Sequence, residues 1–579
     1  MSLAAVPAAV VVSQTVSAPP AVATVTPAPT PSPATGQADP TAADASPVAS
    51  SPTPSPTPTP EATATASLTP TATLTPTATL TPTASPSPTR TPTPVPSRPV
   101  DGPTPDERPA SPTALEESDI SATTGALALA ALLLAGSALL LASRADRQRP
   151  RDGTDPSPPR TLAPASAGTV PLLVELGEAM IDSGYTVTQV QATLGRVLQV
   201  NGVPEGQVVV LPTALFVSVP GQTAVETAVA VAGLTGLRLD QVDAVSRVVT
   251  AAESGGLTPA EARTRLALAR AMPAPFSSAT RTFGYALLSI GLALILRGST
   301  VDVLLAAALG AAMGAIQLWG RRPGSVSRAV LPVLCAFLVG VSVFALGRLH
   351  DDVGVLAPLV APLVIFLPGA LLTTAVIELS TGQMLSGAGR LASGLLQLVM
   401  LALGIVAAAN LVGVPARSIE PSAAEPLSDL VPWVGVALFG TGVLVFYCAR
   451  ASSFGWILLV LYVAYSAQII GGLVLGPVLS AFCGALVMSP VASYIALRPS
   501  GPPMQVSFLP AFWLLVPGAL GLVGVTQLLG ANRVDSLTSL VSTGTTMIGI
   551  SFGVLIGLAL GSTLVRQLSA RERAAADHP

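Results

Sequence analysis

Leu367-Pro368-Gly369-Ala370-Leu371 interrupts one long apolar run, and Val516-Pro517-Gly518-Ala519-Leu520 interrupts another further along the chain. Proline removes a backbone donor and glycine loosens a helix, so each pair predicts a broken membrane helix with backbone groups free for a ligand. From Phe283 onward the chain is a series of apolar runs, each approaching the ~20 residues that a helix needs to cross a bilayer. They fall near Phe283–Leu296, Val301–Trp319, Ala329–Leu346, Val355–Val376 and Leu391–Val412, then Val431–Ala449, Phe454–Leu473, Leu475–Leu497, Phe508–Leu528 and Val541–Leu564. The first Pro-Gly lies in the fourth run and the second in the ninth. A glycine-rich run follows each as the fifth of its half. An odd number of spans per half gives the halves opposite orientations, which predicts a 5+5 inverted repeat with a solute site near the midplane where helices break.

Composition agrees with a membrane all-α polytopic bundle. Of 579 residues, 50% are hydrophobic and 10% charged, and the mean hydropathy is +0.65. Average soluble domains carry about 25% charged residues. The formal net charge of −3 gives no reason to expect nucleic acid. Cys335, Cys448 and Cys483 lie in separate apolar runs without CxxC or metal spacing, and His350 and His578 have no ligand-like neighbours. No metal, catalytic residue or cofactor is therefore expected.

Residues 1–121 read as a disordered Pro/Thr/Ser/Ala-rich tail, with a repeat visible from Leu68 to Thr79. Ala4 to Val12 lacks a basic flank and makes a poor signal peptide. An uncharged anchor over 122–143 follows, and Arg144, Arg147, Arg149 and Arg151 open an Arg/Pro-rich linker over 144–167. The positive-inside rule then puts the tail outside and the linker in the cytoplasm. Residues 168–276 read as a small soluble α+β domain in the order helix, helix, strands, helix, helix. Thr186 with Gln189, and Thr258-Pro259 with Glu261, carry helix-start signals. The first five-helix repeat covers 277–413, an external loop 414–430, the second repeat 431–568 and a cytoplasmic tail 569–579. The alternation of loops agrees: Arg321, Arg322, Arg328, Arg390, Arg450 and Arg498, with Arg566, Arg571 and Arg573 of the tail, fall on the side expected inside, while the other side holds only Arg297, Arg348, Arg417 and Arg533 together with Asp351, Asp352, Glu420, Glu425 and Asp429.

Residues 168–564 resemble the bacterial threonine/serine exporter family. The resemblance rests on Leu173 to Gly184, a helix ending at Asn201-Gly202, Pro212-Thr213 and Ala271-Met272-Pro273-Ala274-Pro275. Its most specific part runs from Phe366 through Pro368-Gly369 to Ala375, then Thr381-Gly382 and Ser386-Gly387-Ala388-Gly389-Arg390. Val190-Gln191 stands where the family often has Val-Glu. The resemblance implies export of L-threonine and L-serine across the inner membrane, driven by protons.

A small hydroxylated zwitterion needs partners for a carboxylate, an amine and a hydroxyl. Pro368, Gly369, Pro517 and Gly518 are expected to expose helix ends to it, and Thr373 and Thr374 to meet its hydroxyl. Glu378 is the expected proton-coupling acid, and Arg390 either pairs with it or obeys the positive-inside rule. Expected partners are the solute, protons and the bilayer; a homo-oligomer is left open. Two other classes stay open, a membrane-anchored enzyme using Asp182, Glu205, Asp240, Asp243 or Glu253, and an envelope sensor or scaffold.

Overall fold

The computed structural model describes residues 122–148, 168–220, 225–233, 236–319, 325–350, 353–413, 428–498, 500–515, 522 and 533–576. The expected Pro/Thr tail, most of the linker, most of the external loop and the whole Val516–Leu520 motif lie outside these residues.

Helix α1 (Ala122–Gln148) carries the anchor sequence and continues past its expected end at 143. The next seven elements follow the expected order: α2 (Thr169–Asp182), α3 (Val187–Val200), β1 (Gln207–Val210), β2 (Ala214–Pro220), β3 (Val225–Val231), α4 (Leu239–Glu253) and α5 (Pro259–Ala271). Thr186 and Gln189 form the capping box of α3, and Thr258 and Glu261 that of α5, with Pro259 in the first turn. Gly184 ends α2 at φ +83, where its amide and that of Tyr185 satisfy the carbonyls of Ile181 and Met180. The sheet is antiparallel in the order β1-β2-β3, with Val210 opposite Leu215 and Phe216 opposite Val229. Period-two alternation turns Leu215, Val217 and Val219 into a core shared with Leu172, Leu173 and Leu176 of α2. The other face keeps Val209, Phe216 and Val229 exposed.

The membrane part follows as α6 (Ser278–Ile295), α7 (Thr300–Trp319), α8 (Ser325–Gly347), α9 (Leu356–Leu363), α10 (Gly369–Ser380), α11 (Met384–Val412), α12 (Val431–Phe446), α13 (Phe454–Leu475), α14 (Pro477–Ala496), α15 (Met504–Leu514) and α16 (Arg533–Ala576). Among the described residues, 8 helices are long and apolar enough to cross a membrane, the anchor included. The expected fourth span is the pair α9 and α10, bent by 60°. The expected sixth and ninth spans are represented by the shorter apolar helices α12 and α15. Helix α11 starts at Met384, ahead of the expected Leu391. Gly387 and Gly394 let it pack on α10 there, since a Cβ at either would meet Leu379 or Leu372 at 2.6 or 2.5 Å.

Helices α6 and α12 cross backbone to backbone. A Cβ on Gly291 would lie 2.6 Å from the Gly435 carbonyl, and one on Gly442 would lie 2.7 Å from that of Gly284. The pairing of early with late glycines makes the two helices antiparallel. Helix α8 packs on α11 and α14 on α16, while α7 packs on α9 and α13 on α15.

Candidate functional site

The break between α9 and α10 is local chemistry made visible. Val364–Phe366 tightens into a 3-10 turn, and Leu367 is extended. Pro368 sits at the N-cap of α10 and offers no side-chain cap to the amides that follow. Pro368 and Gly369 are both buried. The carbonyls on the α9 side of the break are held by neighbours. Tyr285 Oη of α6 donates to the Pro362 carbonyl at 2.9 Å, and Gln397 Nε2 of α11 donates to that of Phe366 at 2.7 Å. Each carbonyl oxygen keeps a second lone pair.

Thr373 lies one turn into α10. It is 0% exposed, and its hydroxyl has no hydrogen-bond partner among the described residues. A buried hydroxyl left without a partner is costly, about 1–3 kcal/mol. Ser551 of α16 donates to the Thr373 carbonyl at 3.4 Å. Thr374 is half-buried. Thr373 thus stands with Pro368 and Gly369 at one break; Pro517 and Gly518 belong to the residues not described.

Glu378 closes the other end of α10. Its side chain is 0% exposed, Ser386 Oγ donates to its Oε2, and Arg390 Nε stands 3.0 Å from that same oxygen. The four-residue spacing of Ser386 and Arg390 puts both on one face of α11. The turn before them is built by Gly382 at φ +85, with the Gly382 and Gln383 amides donating to the Leu379 and Glu378 carbonyls. The remaining carboxylate oxygen, Oε1, accepts from the backbone amide of Val187, at the start of α3. A helix start carries unmet amides and a partial positive charge, so it suits a carboxylate.

Helix α4 docks beside α3 in the same sense. The Leu239 amide donates to the Tyr447 carbonyl at the end of α12 at 2.9 Å, and Arg450 Nε lies 3.1 Å from Asp243. Asp182 pairs with Arg270, Asp240 with Arg238 and Glu253 with Arg196, while Glu205 is exposed. Apart from Glu205, these acids are engaged by separate arginines, not by one another.

Several site residues escaped the sequence reading. Asp302 is 2% exposed and caps α7 jointly with Ser299; its Oδ1 also accepts from the Gly354 amide at 2.8 Å, just before α9. The Ser299-x-x-Asp302 pattern was a visible capping signal. Tyr285, Gln397 and Ser551 look like ordinary helix residues in the sequence. Gly284 and Gly291 recur as Gly435 and Gly442 at the same spacing in the first helix of the other half, a second repeat that was open to reading.

Fold and break together define a multi-pass α-helical membrane protein with one sharply bent helix pair. Residues 171–412 match the ThrE family model, described as "Putative threonine/serine exporter". The family resemblance read from the sequence therefore holds over that stretch, from within α2 to the end of α11. No curated protein and no solved structure matches the chain.

Proposed function

We propose that the chain is a secondary transporter that exports L-threonine and L-serine across a bacterial inner membrane, driven by the proton gradient. The observation that carries this reading is the buried hydroxyl of Thr373, without a partner among the described residues, one turn beyond a start of α10 that no side chain caps. The substrate carboxylate lies against the first amides of α10 at Pro368-Gly369. Its hydroxyl meets Thr373 and Thr374, and its ammonium takes carbonyl lone pairs at the break. Pro517 and Gly518 supply the matching half of the site. The antiparallel glycine contact of α6 with α12, and the like pairing of α8 with α11 and α14 with α16, support an inverted repeat.

Glu378 takes up the coupling proton in this scheme, with Arg390 as its counter-charge. Protonation weakens the ion pair and removes the charge that the α3 start faces. The α/β segment then loosens from the inner end of the broken span, so the same proton that drives export also opens the path. The tail lies outside, and residues 168–276 and the C-terminus are cytoplasmic. The docking of α3 and α4 beside Arg390 and Arg450 supports that sidedness. Efflux from cells loaded with threonine-containing dipeptides tests the reading. Gene-dependent efflux that collapses with a protonophore is expected, and efflux equal with and without the gene overturns it.

A further inference from the structure

We propose that the groove between α3 and α4 is a second binding site for a small free amino acid, distinct from the broken span, and that its occupancy is felt at Glu378. The choice of amino acid rests on the exporter reading; the groove's chemistry does not.

The groove has a volume of about 410 Å³, within the roughly 300–1,000 Å³ usual for small-molecule sites. It is open to solvent, and its walls mix polar groups with apolar surface. Thr188, Thr193, Ser246 and Thr250 bring hydroxyls, and Ala192 and Val249 are its only aliphatic lining residues among those described. One cation and one anion face each other there, Arg196 of α3 and Glu253 of α4, and they are in direct ion-pair contact. Arg196 also donates to Thr193 Oγ1 at 3.1 Å. The Arg196 side chain is 54% exposed, and exposed ion pairs contribute only about 0–1 kcal/mol. Opening that pair therefore costs little. A zwitterion inserted between the two replaces one ion pair with two, its carboxylate on the Arg196 fork and its ammonium on Glu253. Tyr185 stands at the groove wall; burial pushes its phenol up, partly offset by a hydrogen bond with Ser246, so it stays a neutral donor.

Position gives the groove its consequence. Tyr185, Thr188 and Gln189 line it, and they flank Val187, whose amide holds Glu378. Gln189 is also the capping-box partner of Thr186. A ligand that draws on the Thr188 hydroxyl or the Gln189 amide acts on the same helical turn that meets the membrane part. The groove thus couples cytoplasmic amino acid to the inner end of the broken span without a new contact in the membrane.

The test is equilibrium binding of radiolabelled L-threonine to the full chain in detergent. Two sites per chain are expected. Arg196→Gln, and separately Glu253→Gln, should weaken one of them by roughly tenfold or more and leave the other, while Thr373→Val does the reverse. Threoninol, which lacks the carboxylate, should fail to compete at the Arg196-dependent site. Binding at millimolar ligand that is indifferent to both Arg196→Gln and Glu253→Gln, or no binding at all, overturns the groove. A single site that is lost in Arg196→Gln and untouched by Thr373→Val upholds the groove and removes the broken-span reading instead.

Discussion

The backbone amide of Val187 donates to Glu378 Oε1 across 3.1 Å, so the first turn of α3 and the last turn of α10 share one buried carboxylate. The contact joins residues 191 positions apart. It uses a helix start on one side and, on the other, an acid already held by Ser386 and Arg390.

Val187→Pro removes that amide and exchanges one buried apolar side chain for another. Val187 is the first residue of α3, a position proline favours, and Thr186 before it is extended at φ −71, ψ 153, as a residue preceding proline should be. Hydrogen bonds to charged groups are worth about 1.5–3 kcal/mol. Hydrogen exchange across residues 378–387 should therefore speed up roughly 10-fold or more, while amides in the second half of α3 keep wild-type protection. Equal exchange in the two proteins would mean the contact holds nothing in place.

Glu378→Gln keeps the shape and an acceptor for Val187 but cannot ionise. Threonine binding should persist, and efflux from proteoliposomes should lose its response to an imposed pH gradient. A variant whose rate still follows the gradient as wild type does takes Glu378 off the coupling path.

Thr373→Val replaces a buried hydroxyl that has no partner among the described residues. The fold should be unharmed or gain stability, up to about 1 kcal/mol, because a desolvation penalty is lifted. Efflux of threonine and serine should fall at normal membrane abundance. Replacing Pro368 and Gly369 together by alanine should heal the helix, since proline and glycine cost about 3 and 1 kcal/mol relative to alanine. Efflux of both amino acids should then collapse at normal membrane abundance. Wild-type efflux from the double variant would place the site elsewhere.

The glycine crossing offers a test of packing. A Cβ at Gly291 would stand 2.3 Å from the Phe439 amide nitrogen, whereas one at Gly347 meets nothing within 4 Å. Gly291→Ala should destabilise the detergent-solubilised protein by about 1–3 kcal/mol, and Gly347→Ala should leave the melting temperature within error. Equal melting temperatures would mean that α6 and α12 separate without cost.

Sidedness can be read directly. In a background without native cysteine, Thr77→Cys should react with an impermeant thiol reagent in intact cells, and Ser254→Cys, exposed at the end of α4, should not. The opposite labelling pattern would invert the topology.

What the sequence disclosed was mostly what a few neighbouring residues decide. Pro368-Gly369 announced the break, Thr186/Gln189 and Thr258/Glu261 announced helix starts, and Val208 to Val219 announced strands, because each signal lies within one or two turns of its effect. Glu378 was legible as a special acid, but not its partner in α3. A contact between remote elements leaves no periodicity in either. The start of α11 was misplaced for a related reason: Ser386 to Gly389 looks like a loop until the surface of α10 shows why small residues are needed there. Asp302 and Gly354, 52 positions apart, were missed on the same grounds.

The Asp302–Gly354 bond has a mechanical meaning. It fastens the α9 end of the bent helix pair to α7, just as the Glu378 contacts fasten the α10 end to α3 and α11. A rod clamped at both ends and jointed between them can neither slide along its axis nor spin freely; it can only bow. The joint at Leu367-Pro368 is where that bowing is greatest, and Thr373 lies one turn past it, its carbonyl held by Ser551. A small sideways excursion of the joint therefore changes what the Thr373 hydroxyl faces, while both ends of the span stay where they are.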